Sequence, residues 1–197
     1  MVAQNLILIV GDYVEDYEAM VPYQALTMVG HSVSVISPGK KKGDKVVTAI
    51  HDFLPGEQTY TELKGHNFAI TADFDDVLSN LDNFGGLILP GGRCSEYLRL
   101  HDNVLTIVKH FLEKKKPIAA ICHGPLILTP FPEHLKGKRI SAYFACKHDI
   151  QNTGAEYVQC GAEDAVVSDN IVTGVAWPGH PKWLRAFLDL LGTTITL

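Results

Sequence analysis

The sequence predicts an α/β protein: a mostly parallel sheet with helices on both faces and a small β-hairpin insertion. Two observations carry this. The chain opens as strand, helix, strand, in the buried run Asn5–Val10, the amphipathic stretch from about Asp16 to Gly30, and the alternating stretch His31–Ser37. Parallel strands need a helical crossover, which covers the sheet faces. Two further apolar runs, Gly85–Pro90 and Ile118–Cys122, each end at a glycine-bearing turn followed by a helix-like pattern.

The elements follow in order. Asn5–Val10 is the first strand, stopped by Gly11-Asp12-Tyr13. Met20, Val21, Ala25, Leu26 and Val29 recur at helical spacing, and Gly30 suits a C-cap. Val33 and Val35 alternate with polar residues up to the stop at Pro38-Gly39. Residues 43–73 break the rhythm, with strand-like pieces at Val46–Phe53 and Phe68–Ile70, hence the hairpin. A short helix is expected at Asp75–Asn80, and a strand at Gly85–Pro90 ending in Gly91-Gly92-Arg93. One helix is expected over about Glu96–Lys115, then the Ile118–Cys122 strand and a helix cut short by Pro130 and Pro132. Lys138–Cys146, Ala155–Val158, Ala165–Val167 and Ile171–Gly174 read as strands, and Trp183–Leu191 as the last helix.

At 197 residues, with 46% hydrophobic content, one domain spanning 1–197 is expected. Net charge is −5, with no basic stripe, which argues against nucleic acid. No apolar run approaches a membrane span, and no secretory leader is read at the start. The four cysteines, Cys94, Cys122, Cys146 and Cys160, make neither a CxxC nor a zinc spacing. A reducing cytoplasm without disulfides is expected, as is the absence of a metal. Lys114–Lys116 sits where positive charge suits a helix end. Asp12, Glu15, Asp16 and Glu18 fit no metal loop and read as a solvated helix start.

The informative stretch is Pro117–Leu126, where Cys122 stands at the corner between a buried strand and a helix. A sharp corner forces its residue outward, as in a nucleophile elbow. A helix N-terminus there favours a thiolate and supplies N–H donors for an oxyanion. The alternative is a small buried core residue. In a parallel sheet, ligands bind at the carboxyl ends of the strands. Gly11, Gly91-Gly92 and Cys122 all fall at such ends, which shifts the balance toward function.

The stretches Gly11–Glu18, Leu89-Pro90-Gly91-Gly92-Arg93 and Ala119–Pro125 resemble the ThiJ/PfpI superfamily. The likeness extends to Thr48–Phe53, Gly65–Phe68 and Gly179-His180-Pro181. It implies a flavodoxin-like three-layer sandwich with Cys122 as nucleophile and Glu18 as the carboxylate against it. It makes the N–H groups of Gly91, Gly92 and His123 oxyanion donors. It makes Glu96, paired with His123, an acid that often acts across a subunit contact. His51 and His180 fall in matching stretches and are expected to line the substrate crevice, as is His66; half-buried loop histidines are the alternative. Cys94 departs from the pattern, where many relatives carry alanine.

The implied activity is that of a cofactor-free cysteine enzyme acting on reactive aldehydes. Glutathione-independent glyoxalase (methylglyoxal to lactate) and protein deglycase stand first. A PfpI-type peptidase using Cys122, His123 and Glu96 is the alternative, and a redox-sensing stress protein or chaperone is a third. The implied partners are a small aldehyde or glycated substrate and further copies of the chain, as a homodimer or larger oligomer.

Overall fold

The computed structural model describes residues 3–195. Strand β1 (Asn5–Ile9) leads through a two-residue strand β2 (Val14–Glu15) into helix α1 (Asp16–Met28) and strand β3 (Ser32–Ile36). A hairpin follows, β4 (Lys45–Asp52) and β5 (Thr61–Ala69), then α2 (Phe74–Leu78) and β6 (Gly86–Leu89). Next come α3 (Cys94–Leu98), α4 (Asp102–Glu113), β7 (Ile118–Ile121), α5 (Pro132–Leu135) and β8 (Arg139–Ile140). The chain closes with α6 (Lys147–Asn152), β9 (Glu156–Tyr157), β10 (Ala165–Ser168), β11 (Ile171–Gly174) and α7 (His180–Leu190).

The central sheet has six strands in the order β10-β11-β7-β6-β1-β3. All neighbours are parallel except β10 and β11, which pair antiparallel at one edge. Its inner strands are buried along their length, as the continuous apolar runs of β6 and β7 require. Helix α7 packs on β7, β11 and α1, while α4 packs on β6. This is the flavodoxin-like sandwich. The strand order reverses between β1 and β6, so a crevice opens at their carboxyl ends.

The hairpin is present, and it is longer than its apolar residues suggested. Strand β2 pairs parallel with β4, and Val47 N donates to Asp12 Oδ1 at 3.0 Å, so residues 12–15 sew the hairpin to the crevice. The expected helix over Glu96–Lys115 is two helices. The chain breaks at Arg99–His101, where Leu100 is exposed and His101 is extended (ψ 115°). After Cys122 there is only a five-residue 3-10 turn, Gly124–Leu128, with Pro125 in its first turn. The expected strand Lys138–Cys146 shrinks to β8, because Ser141 N turns to Thr173 Oγ1 and Tyr143 N to Cys122 O.

The lysines before β7 do more than suit a helix end. Lys116 Nζ donates to three carbonyls, Leu81 O (3.2 Å), Asp82 O (3.1 Å) and Phe84 O (2.9 Å). It thereby ties the entry of β6 to the entry of β7. A hydrogen bond to a charged group contributes about 1.5–3 kcal/mol net of its exchange with water, and here one ammonium is shared among three acceptors. Lys116→Met keeps the aliphatic stem and removes the ammonium. A loss of about 2 kcal/mol is expected, or about 4–8 °C in Tm for a chain of this size. A thermal melt checks it, and an unchanged melting curve would show that the three carbonyls do not depend on Lys116.

Candidate active site

Three turns meet at the crevice. The first is residues 10–15 after β1, the second Gly91-Gly92 after β6, the third Cys122-His123 after β7. Cys122 has φ +58°, in the left-handed region. A non-glycine residue there costs roughly 1–3 kcal/mol and persists only when its surroundings impose it. Here Cys122 N donates to Gly174 O and Cys122 O accepts from Tyr143 N, both at 3.0 Å. Gly124 passes so close to β6 that a Cβ would lie 2.0 Å from Leu89 O. The corner expected from sequence is therefore present.

Glycine at 91 is dictated by the same crowding. A Cβ there would stand 2.6 Å from both Cys122 Cβ and Glu18 Oε2. The thiol and the carboxyl thus face each other across a glycine. Gly91 N donates to Glu18 Oε2 at 2.8 Å, so this N–H is engaged and not free for an oxyanion. The N–H groups of Gly92 and His123 are the ones that ease ionisation of the Cys122 thiol. Gly92, at φ +79°, bridges to Val14.

Glu18 is fully buried, and its Oε1 has no hydrogen-bond partner among the described residues. Burial, and then the charge of Glu15, lift its carboxyl well above the usual range. Cys122 is buried as well. Burial, and then the charge of Glu18, push its thiol well above the ordinary value, against partial relief from the N–H groups of Gly92 and His123. Burial thus opposes the thiolate expected from a helix dipole. A five-residue 3-10 turn with a proline at its start supplies little dipole, and desolvation wins.

His123 Nδ1 lies 3.2 Å from Cys122 Sγ. Its ring stacks on Tyr143, with centroids 4.9 Å apart, and burial lowers its pKa to about 4, with His51 adding to the effect. At neutral pH it is an uncharged imidazole. His51 is buried, lines the same cavity and has Nε2 3.1 Å from Glu62 Oε2, which also accepts from Arg93 Nε. The structure does not bring Glu96 to the pair: it is exposed on α3, on a neighbouring groove with Tyr13 and Tyr97. His180 is buried at the start of α7 beside Trp183 and does not line the cavity over Cys122. His66 lies outside it too, with Nδ1 3.2 Å from Asp16.

Sequence reasoning missed three features. The aromatic walls Phe53, Tyr60, Tyr143 and Trp177 come from three separate stretches, and nothing local marks them. Of the acidic cluster only Asp12 is solvated: Glu15 is 2% exposed and Asp16 5%, and Glu18 is buried. Glu15 also lines the cavity, and its Oε2 caps α1 by accepting from Glu18 N at 2.8 Å. Cys94 is buried behind the glycine turn, with Sγ 3.7 Å from Gly91 O, and burial raises its thiol to about 12, so it is inert packing.

Fold and site together define a flavodoxin-like α/β protein with a cysteine on a strained elbow, facing a buried carboxyl. Comparison with known proteins names the group: the chain belongs to the DJ-1/PfpI family, whose pattern matches residues 4–190. It is 44% identical over 194 residues to the Arabidopsis thaliana protein DJ-1 homolog D, covering 98% of this chain and 49% of that one. It is 33% identical over 187 residues to a deglycase of Pyrococcus abyssi, covering 95% and 99%. The chain spans about half the length of the Arabidopsis relatives it matches. Among solved structures, Schizosaccharomyces pombe DJ-1 superposes with TM-score 0.72 at 19% identity, over 98% of this chain and 92% of that one. Among the described residues, no helix is long and apolar enough to cross a membrane.

Burial, opposed in part by the N–H of Glu18 and reinforced by Asp16, raises the Glu15 carboxyl from 4.5 to about 7. Below pH 4.5 it is neutral in both folded and unfolded chains and costs nothing. Between 4.5 and about 7 the unfolded chain loses the proton first, so stability falls as pH rises; above about 7 the full cost is in place. Glu15→Gln retains the capping acceptor and removes this cost. It is expected to stabilise the protein by about 2–3 kcal/mol at pH 8 and hardly at all at pH 4. Denaturant melts at the two pH values check this; an equal effect at both would show that Glu15 is not held neutral by burial.

Proposed function

We propose that this chain is a cysteine-dependent, cofactor-free enzyme that converts small 2-oxoaldehydes to 2-hydroxy acids, a glutathione-independent glyoxalase acting on methylglyoxal. The observation that carries the reading is the unpartnered Oε1 of the buried Glu18 in the cavity that holds the Cys122 thiol. A buried carboxyl with a raised pKa and a free oxygen suits proton transfer near neutrality. The names of the archaeal relatives support the wider class, since deglycation begins with the same thiol and carbonyl.

The steps follow from the site. Cys122 Sγ adds to the aldehyde carbon; the C–S bond forms, the carbonyl π bond opens, and the thiol proton, relayed by the neutral His123 imidazole, ends on the new oxygen. The N–H groups of Gly92 and His123 stabilise the charge on that oxygen as it develops. Glu18 Oε1 removes the proton from the former aldehyde carbon, giving an enediol, and returns it to the neighbouring carbon, leaving a thioester. Water hydrolyses the thioester and restores the thiol. The sum is methylglyoxal plus water giving lactate, with no net oxidation.

The peptidase reading has Sγ–Nδ1 proximity in its favour. It lacks an acid on His123 within the chain, since Glu96 is exposed on another groove, and so it requires a second copy to complete the site. The space over the sulfur has room for about one water molecule, which suits a small aldehyde better than a polypeptide. A cytoplasmic location is part of the proposal, and the four cysteines are all free.

Lactate formation from methylglyoxal without glutathione tests the reading. Cys122→Ala is expected to fall to background. Glu18→Gln is expected to lose about 10²–10⁴-fold in kcat, as loss of a general acid–base group does, while still forming the Cys122 adduct seen by mass spectrometry. Full turnover in Cys122→Ala would sink the mechanism.

A further inference from the structure

The floor of the site and its roof have different origins. The floor is made by turns of the central sheet, which are anchored by backbone hydrogen bonds. The roof comes from the β4–β5 hairpin. Its last backbone pair is Asp52 with Thr61, so Phe53 and Tyr60 face each other directly at the neck. Their ring centroids are 6.4 Å apart. Tyr60 reaches further inward: its ring meets His51 edge-on at 5.0 Å, Tyr143 at 5.5 Å and His123 at 5.9 Å. Phe53 leans on Tyr143 from outside at 6.0 Å and is 46% exposed.

These rings crowd the space beside Cys122, leaving free room for about one water. A three-carbon oxoaldehyde has five heavy atoms, so its tail must displace part of the wall. His123 and Tyr143 cannot give way easily, since His123 follows the elbow and Tyr143 N is bonded to Cys122 O. Tyr60 is held only by ring contacts and by the hairpin, whose tip, residues 54–59, is exposed. A substituent on the carbonyl carbon therefore grows toward Tyr60.

We infer that Tyr60, backed by Phe53, is the size-determining residue of the site and restricts it to carbonyl compounds with short, unbranched substituents. The kinetic consequence rests on the aldehyde chemistry proposed above; the steric consequence does not. Tyr60→Ala opens the roof, whereas Tyr60→Phe keeps the ring and serves as the conservative control.

Two measurements test it. The first is the ratio of kcat/KM for phenylglyoxal to that for methylglyoxal. Tyr60→Ala is expected to raise it about tenfold or more, the scale on which a pocket discriminates by size, and Tyr60→Phe to leave it within about twofold. The second is alkylation of the Cys122 thiol, followed by peptide mass spectrometry. The rate ratio of N-benzylmaleimide to iodoacetamide, normalised to free cysteine, is expected to be low in the wild type, about tenfold higher in Tyr60→Ala and unchanged in Tyr60→Phe. If no oxoaldehyde is turned over but the alkylation ratio rises in Tyr60→Ala, the proposed activity fails and the size filter stands. If a folded Tyr60→Ala protein leaves the alkylation ratio at the wild-type value, the size filter is overturned, whatever the activity.

Discussion

The site depends on backbone packed too closely for side chains to intervene. Gly124 lies against the carbonyl of Leu89, and Gly91 fills the gap between Cys122 and Glu18. Those two approaches bring the turns after β6 and β7 together and hold Cys122 in a left-handed conformation that an isolated peptide would avoid. The strain is local, while the restraints come from β6, β7, β11 and the loop after β8. A reactive atom fixed in this way has little freedom to lose when a substrate arrives, which is the physical meaning of preorganisation.

The second organising effect is desolvation. Glu15, Glu18 and Cys122 are three acids taken out of water within one cavity. The charge of Glu15 lifts the Glu18 carboxyl and that of Glu18 lifts the Cys122 thiol, so burial and like charge act in the same direction at both. The N–H groups of Gly91 and Glu18 hold two of the carboxyl oxygens, which offsets part of the cost and leaves Glu18 Oε1 available. Stability at alkaline pH is lower for it, and a buried proton donor and acceptor with a raised pKa is the return.

Much of the fold was legible because buried parallel strands are short apolar runs and their ends are marked by glycine. Thus β1, β6, β7 and the turns at Gly11, Gly91 and Cys122 were visible, and with them the corner at position 122. Features decided by tertiary contacts were not. Strand β2 is two residues long and exists only because β4 lies beside it. The break between α3 and α4 had a local signal in His101-Asp102-Asn103, a helix-start pattern outweighed by the apolar spacing on either side. The shortness of the turn after Cys122 was foreshadowed by Pro130 and Pro132, but the burial that raises the thiol was not. Glu15 looks like any acidic N-cap in sequence, and only packing shows that it has no water.

The attachment of the hairpin has a consequence for how such a protein can diversify. Its tip, residues 54–59, is exposed, and its base is fastened to residues 12–15 beside the site. Lengthening, shortening or rewriting that tip alters what overhangs the sulfur without touching a buried strand. Reaction type and substrate range are therefore written in separate segments of the chain, and one can drift while the other is kept.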